Sequence, residues 1–194
     1  MSQAGLERRA AMARLLADRD DDLLVVPGLG STCWDLAAAG DNDRNFYLWG
    51  AMGGAAMIGL GLALAQPQKR VAVITGDGEI LMGLGSLATI GIQAPKNLAV
   101  IVFDNGVYGE TGMQPSHTQS GVDLLKVAGA CGIDPCLDVR DEAGLAALAG
   151  CLKALNQALF ARVAIAASEP PRVLPERDGV ALKQRFRAAL GLGA

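Results

Sequence analysis

Val71-Ala72-Val73-Ile74-Thr75-Gly76-Asp77-Gly78 decides the fold: an uncharged apolar and β-branched run stops abruptly at an aspartate framed by glycines. A short run of this kind, bounded by turn residues, reads as a strand buried on both faces. Leu98–Phe103 repeats the arrangement and ends in Asp104-Asn105-Gly106, and Leu23–Val26 ends in Pro27-Gly28. Helical patterns fill the intervals. Residues 28–39 form a glycine turn entering a helix, Met52–Ala65 is a helix of small residues, and Ile80–Ile92 is helical up to a break near Pro95. Leu6–Leu16 is a helix on the N-terminal side. Beyond Gly121 the pattern predicts a helix at Val122–Cys131, a short strand at Leu137–Val139, a helix at Glu142–Phe160, a strand at Val163–Ala167 and a helix at Leu182–Leu190. This alternation with short links predicts an α/β fold: a doubly wound, mostly parallel sheet with helices on both faces. No internal repeat or low-complexity linker interrupts it, so residues 1–194 read as a single domain.

Composition narrows the function classes. Hydrophobic residues make up 51% of the 194 and charged residues 19%, which is a folding chain rather than a disordered one. Aromatics reach only 4% against 25 glycines, so the core packs through small side chains. A net charge of −3 with scattered Lys and Arg offers no footprint for nucleic acid. Cys33, Cys131, Cys136 and Cys151 form no CxxC pair, and one histidine makes a Cys/His zinc site a poor reading. Phe46–Ala65 lacks charge over a length that nominally spans a bilayer, but five of its residues are glycine and it runs straight into Lys69-Arg70. A buried turn and helix accounts for it better than a membrane span. The polar N-terminus lacks the apolar core of a secretory signal, giving a cytoplasmic default.

In a parallel sheet, ligands bind beyond the carboxyl ends of the strands. Adjacent strands would bring Asp77 and Asn105 to one edge although they lie 28 positions apart. Mg²⁺ takes one or two carboxylates together with phosphate oxygens, flanking glycines admit a diphosphate to the backbone, and the following helix start offers free N–H groups. Two ordinary strand-end turns would look the same on spacing alone. Gly83–Ala88 fits a loose GxGxxA dinucleotide fingerprint, but it follows a helix start rather than a strand, and Gly28-Leu29-Gly30 lacks a third glycine.

Gly76-Asp77-Gly78, then 25 residues, then Asp104-Asn105 resembles the cofactor motif of thiamine-diphosphate enzymes, and Gly50-Ala51-Met52-Gly53 resembles that family's upstream segment. Asp104–Gln114 (DNGVYGETGMQ) and Gly85–Gly91 (GSLATIG) look most like the sulfopyruvate decarboxylase β subunit, with phosphonopyruvate decarboxylase a near relative. The resemblance implies thiamine diphosphate held through Mg²⁺, with Asp77, the Asn105 side chain and the Val107 carbonyl as metal ligands. Gly76, Gly78 and Glu79 would meet the diphosphate, Glu79 standing where relatives often carry serine. Tyr108 and Gly109 would line its far side, with Gly30 and Ser31 as further contacts. The Gly50 carbonyl would accept from the aminopyrimidine, Gly53 would follow it in the same turn, and Met52 would prop the two rings.

Asp104 reads either as an acceptor orienting Asn105 or as a turn residue. His117 reads either as a solvated loop residue or as a catalytic-loop contact for an anionic substrate, and Glu110 shares that loop. Cys33 and Trp34 read as packing. The implied reaction is decarboxylation of a small anionic 2-oxoacid, of the sulfopyruvate or phosphonopyruvate type. The loop from Gly109 to Gly121 holds no Arg or Lys, so the cations for such a substrate are expected from a partner. The glutamate that activates the pyrimidine belongs, in this family, to another α/β domain. Here it is expected on a separate subunit, giving a hetero-oligomer. Two alternatives stay open: half of an acetohydroxyacid synthase or transketolase, and a noncatalytic cofactor-binding subunit.

Overall fold

A computed structural model of the protein describes residues 5–50 and 52–193. In chain order the elements are α1 (Arg8–Leu15), β1 (Leu23–Pro27), α2 (Ser31–Ala39), α3 (Ala55–Ala65), β2 (Arg70–Gly76), α4 (Asp77–Met82), α5 (Ser86–Gln93) and β3 (Leu98–Asp104). The short strands β4 (Val107–Tyr108) and β5 (Gln114–Pro115) follow, then α6 (Leu124–Ala130), β6 (Cys136–Val139), α7 (Glu142–Lys153), β7 (Leu159–Ala164) and α8 (Gly179–Ala189). The main sheet is parallel throughout, in the order β1-β2-β3-β7-β6.

Strand periodicity divides the core between the two faces. Val25, Ala72, Ile74, Ala99 and Ile101 pack with Met12, Leu36, Leu145 and Leu148 from α1, α2 and α7. Leu24, Val26, Val73, Val100 and Val102 pack on the other face with residues of α3, α4, α5, α6 and α8. Every residue of β3 is buried, as a central parallel strand demands. The helix α3 turns Ala55, Ala56, Gly59, Leu60 and Ala63 inward, which is the small-residue packing that the composition predicts. Among the described residues no helix is long and apolar enough to cross a membrane.

Several boundaries differ from the sequence reading. The helix expected from Met52 starts at Ala55, because Gly53 sits at φ 92° and the chain is still turning there. The helix expected over Ile80–Ile92 is broken by Gly83–Gly85 into α4 and α5. The helix expected to reach Phe160 ends at Lys153, and the last strand begins at Leu159 rather than Val163. Phe160 is held between Val100 of β3 and Cys136 of β6, so pairing on both sides captures a segment whose local pattern continues the helix.

Candidate functional site

The strand register builds the site. Gly76 of β2 lies beside Phe103 of β3, so Asp77 and Asn105 emerge at the same edge of the sheet. Asp77 opens α4 after an extended Gly76 and is 2% exposed. Its Oδ2 accepts hydrogen bonds from the Ser116 hydroxyl and, at 3.2 Å, from the Thr118 hydroxyl. Among the described residues no cation pairs with it. Burial pushes the Asp77 carboxyl up to about 6; the neighbouring charge of Asp104 adds to this, while the two hydroxyls oppose it.

Asp104 is buried too, but it is neutralised. Arg162 Nε donates to it at 2.5 Å, Thr118 Oγ1 at 2.9 Å and the Gly106 amide at 3.0 Å. It is therefore an anchor for the turn and for the loop carrying Thr118. Asn105 Oδ1 accepts the Val107 amide at 3.0 Å, closing the turn into β4. The pairing of β4 with β5 then returns the chain so that Ser116 and Thr118 reach Asp77. Tyr108 lies against Gly78 so closely that a side chain there would collide with its ring.

These residues border a cavity of about 500 Å³. Of the residues singled out from sequence, Ser31, Met52, Gly76, Asp77, Gly78, Glu79, Asn105, Val107, Tyr108 and Gly109 line it. Gly30, Gly50, Gly53 and His117 are not among the lining residues. Gly50 is exposed. His117 is exposed as well, with Nδ1 3.3 Å from the Tyr108 hydroxyl, so its link to the cavity runs through Tyr108. The Glu79 carboxylate, unassigned from sequence, accepts the Gly53 amide at 2.9 Å and the Ala55 amide at 3.1 Å, and also bonds the Thr75 hydroxyl.

The sequence reading missed two cations. Arg8 and Arg172 line the cavity, together with Trp34 and Glu110. Arg8 Nε lies 2.9 Å from Asp35, and Arg172 stacks 4.4 Å from the Trp34 ring centroid while pairing with Glu110 at 3.4 Å. Two guanidiniums thus reach the cavity wall from this chain, each already paired with a carboxylate. Nothing local signals it, since Arg172 belongs to a proline-rich stretch more than 130 residues from Trp34 in sequence.

The profile of the thiamine pyrophosphate enzyme C-terminal TPP-binding domain matches residues 36–165. The chain belongs to that family. Phosphonopyruvate decarboxylase of Streptomyces viridochromogenes is 47% identical over 143 residues, covering 72% of this chain and 36% of the relative. The sulfopyruvate decarboxylase subunit beta of Methanococcus maripaludis is 42% identical over 126 residues, covering 65% of this chain and 67% of the relative. The chain spans about a third of the length of the phosphonopyruvate decarboxylases it matches. An X-ray structure of a putative thiamin diphosphate-dependent enzyme isolated from Mycobacterium smegmatis superposes with a TM-score of 0.72 at 22% identity. It covers 85% of this chain and 32% of that one, and at this identity it supports the fold alone.

Proposed function

We propose that this chain holds thiamine diphosphate through Mg²⁺ and forms the diphosphate-binding part of a 2-oxoacid decarboxylase. The observation that carries the reading is Asp77: a buried carboxylate on a cavity wall, beside Asn105 and Val107, with no cation to balance it among the described residues. The donor set fits the ion. Among the described residues no three His, Cys, Asp or Glu side chains cluster as a dedicated metal site. One carboxylate, an amide oxygen and a backbone carbonyl, completed by phosphate oxygens, is the company Mg²⁺ keeps.

In this reading Asp77, the Asn105 side chain and the Val107 carbonyl hold the metal. The Gly78 and Glu79 amides, Tyr108, Gly109 and Ser31 surround the diphosphate. Met52 supports the rings, and the Gly50 carbonyl accepts from the aminopyrimidine. When bound, the cofactor supplies the nucleophilic carbon and accepts the electron pair released as carbon dioxide leaves. The protein's share is to position, to exclude water and to manage protons. Ser116 and Thr118 hold Asp77 in one orientation, and Asp104, fixed by Arg162, holds Thr118.

A small 2-oxoacid with a second anionic group is the proposed substrate, by analogy with the named relatives. Arg8 and Arg172 stand on the cavity wall, each paired with a carboxylate, so further cations for a dianion are proposed to come from the partner. The activating glutamate is proposed to come from a partner subunit bearing the pyrimidine-binding domain. In support, the other cavity carboxylates are occupied or exposed: Glu79 by two amides, Glu110 by Arg172, and Glu169 by solvent. Met57, Ile58 and Leu64 of α3 and Met82 of α4 also expose apolar surface of the kind that marks interfaces.

The test is carbon dioxide release by the chain reconstituted with a pyrimidine-domain subunit, using sulfopyruvate, phosphonopyruvate, pyruvate and a long apolar oxoacid. Turnover of a dianionic substrate is expected. Preference for pyruvate or the apolar acid over both dianions would contradict the substrate assignment.

A further inference from the structure

Glu79 is a buried acid that holds neither a cation nor, through its side chain, any part of the metal-binding turn. It is 3% exposed, and its carboxylate is spent on another element. One oxygen accepts the amides of Gly53 and Ala55 at 2.9 and 3.1 Å, and the other bonds the Thr75 hydroxyl at the end of β2. Ala55 is the first residue of α3, whose cap position, Gly54, has no side chain with which to cap. The first amides of a helix have no partner within it. A carboxylate near that end both satisfies them and suits the helix dipole. Glu79 therefore caps α3 from a different helix.

The same region is braced sterically. A side chain at Gly83, just past α4, would collide with the Gly53 carbonyl, and Gly53 itself turns through φ 92°. The Met52–Gly53 turn is thus clamped between the Glu79 carboxylate and the C-terminal end of α4. Asp77 opens that same short helix.

We infer that Glu79 is a positioning residue that ties the turn bearing Met52 to the helix bearing Asp77, setting the ring-supporting side chain at a fixed distance from the metal site. The inference rests on the cofactor reading above, in which Met52 meets the rings and Asp77 the metal. Its consequence is a separation of effects. Loss of the carboxylate frees the Met52 turn while the Asp77 donors from Ser116 and Thr118 stay in place.

The test compares Glu79→Ala with Glu79→Gln, which retains an oxygen acceptor at nearly the same volume. In the assembled enzyme, hydrogen exchange at Gly53 and Ala55 is expected to quicken about tenfold in Glu79→Ala and to return toward the wild-type rate in Glu79→Gln. Mg²⁺-dependent affinity for thiamine diphosphate should fall about tenfold in Glu79→Ala, with affinity for inorganic diphosphate within about twofold of wild type. The rate constant kcat should drop with little change in KM for the oxoacid, and Glu79→Gln should recover most of it. Unchanged exchange at the two amides, or equal losses for both ligands, would overturn the brace. Wild-type protein that binds neither ligand would overturn the cofactor reading instead, and the exchange comparison would still decide the brace.

Discussion

Asp77 and Asp104 are both buried at strand ends, but only Asp104 has a cation, Arg162, at 2.5 Å. A carboxylate under cover with hydroxyl donors alone costs stability, and metal-free protein bears that cost. Asp77→Asn keeps an acceptor for Ser116 and Thr118 while removing the charge. Its metal-free melting midpoint should rise by about 3 °C, the trade of stability for function seen at many sites. A lower midpoint in calorimetry would show that the charge is compensated by a contact the account omits. Met52, 41% exposed on the cavity wall, tests the ring-support role separately. Met52→Ala should lower kcat by at least about tenfold without altering the Mg²⁺ concentration required, and steady-state kinetics at several metal concentrations would check this. A loss of affinity without a rate effect would assign Met52 to packing. Asp77 and Asn105 are legible in the sequence because polar residues beside glycine, ending apolar runs of a parallel sheet, stand where such sheets bind ligands. Ser116 and Thr118 are not, since a polar loop says nothing about which way its hydroxyls face.

Among the elements, the parallel strands are the most readable and the C-terminal third the least. Apolar runs stopped by Pro-Gly, Gly-Asp or Asp-Asn-Gly announce β1, β2 and β3 within a residue or so of their ends. The α7–β7 link contains no Pro or Gly between Leu152 and Phe160, so the change from helix to strand is imposed by β3 and β6 rather than written locally. The helix α8 has a positioning part that the sequence does not suggest. Arg185 donates to Asp41 at 2.6 Å, Phe186 packs on Phe46 with ring centroids 5.2 Å apart, and the Trp49 indole donates to the Glu176 carbonyl at 2.8 Å. Together these pin the segment that leads toward the Met52 turn. Desolvation raises the Asp41 carboxyl, but hydrogen bonds from Arg185, Tyr47 and the Asn42 amide outweigh it and leave the group below its ordinary range. A folded-state value below the unfolded one gives stability that is present above the unfolded value and is lost as pH falls through the folded one. Asp41→Asn should therefore melt below wild type at neutral pH, with the gap closing as pH is lowered below the ordinary carboxylate range. A gap that stays constant or widens in acid would remove Asp41 from the docking of α8.

At the scale of the molecule, alternation of strands and helices is enough to place the candidate site at the carboxyl edge of a parallel sheet. What it does not supply is the far wall of the cavity. Arg8, Trp34 and Arg172 come from α1, α2 and the proline-rich exit stretch, brought together only by the packing of the first face of the sheet. The Gly109–Gly121 loop itself holds no cation, as expected, but two arginines from elsewhere in the chain reach the cavity wall, each paired with a carboxylate. If the activating glutamate comes from a second subunit, as proposed, the chain assayed alone with excess cofactor and Mg²⁺ should release no carbon dioxide at an enzymatic rate. The most direct measurement is calorimetric titration of thiamine diphosphate into the assembled protein, with Mg²⁺ or with a chelator, for wild type and Asp77→Ala. Binding should require the divalent ion in wild type and vanish in a variant that keeps its circular dichroism spectrum; unchanged Mg²⁺-dependent binding by Asp77→Ala would contradict the central claim.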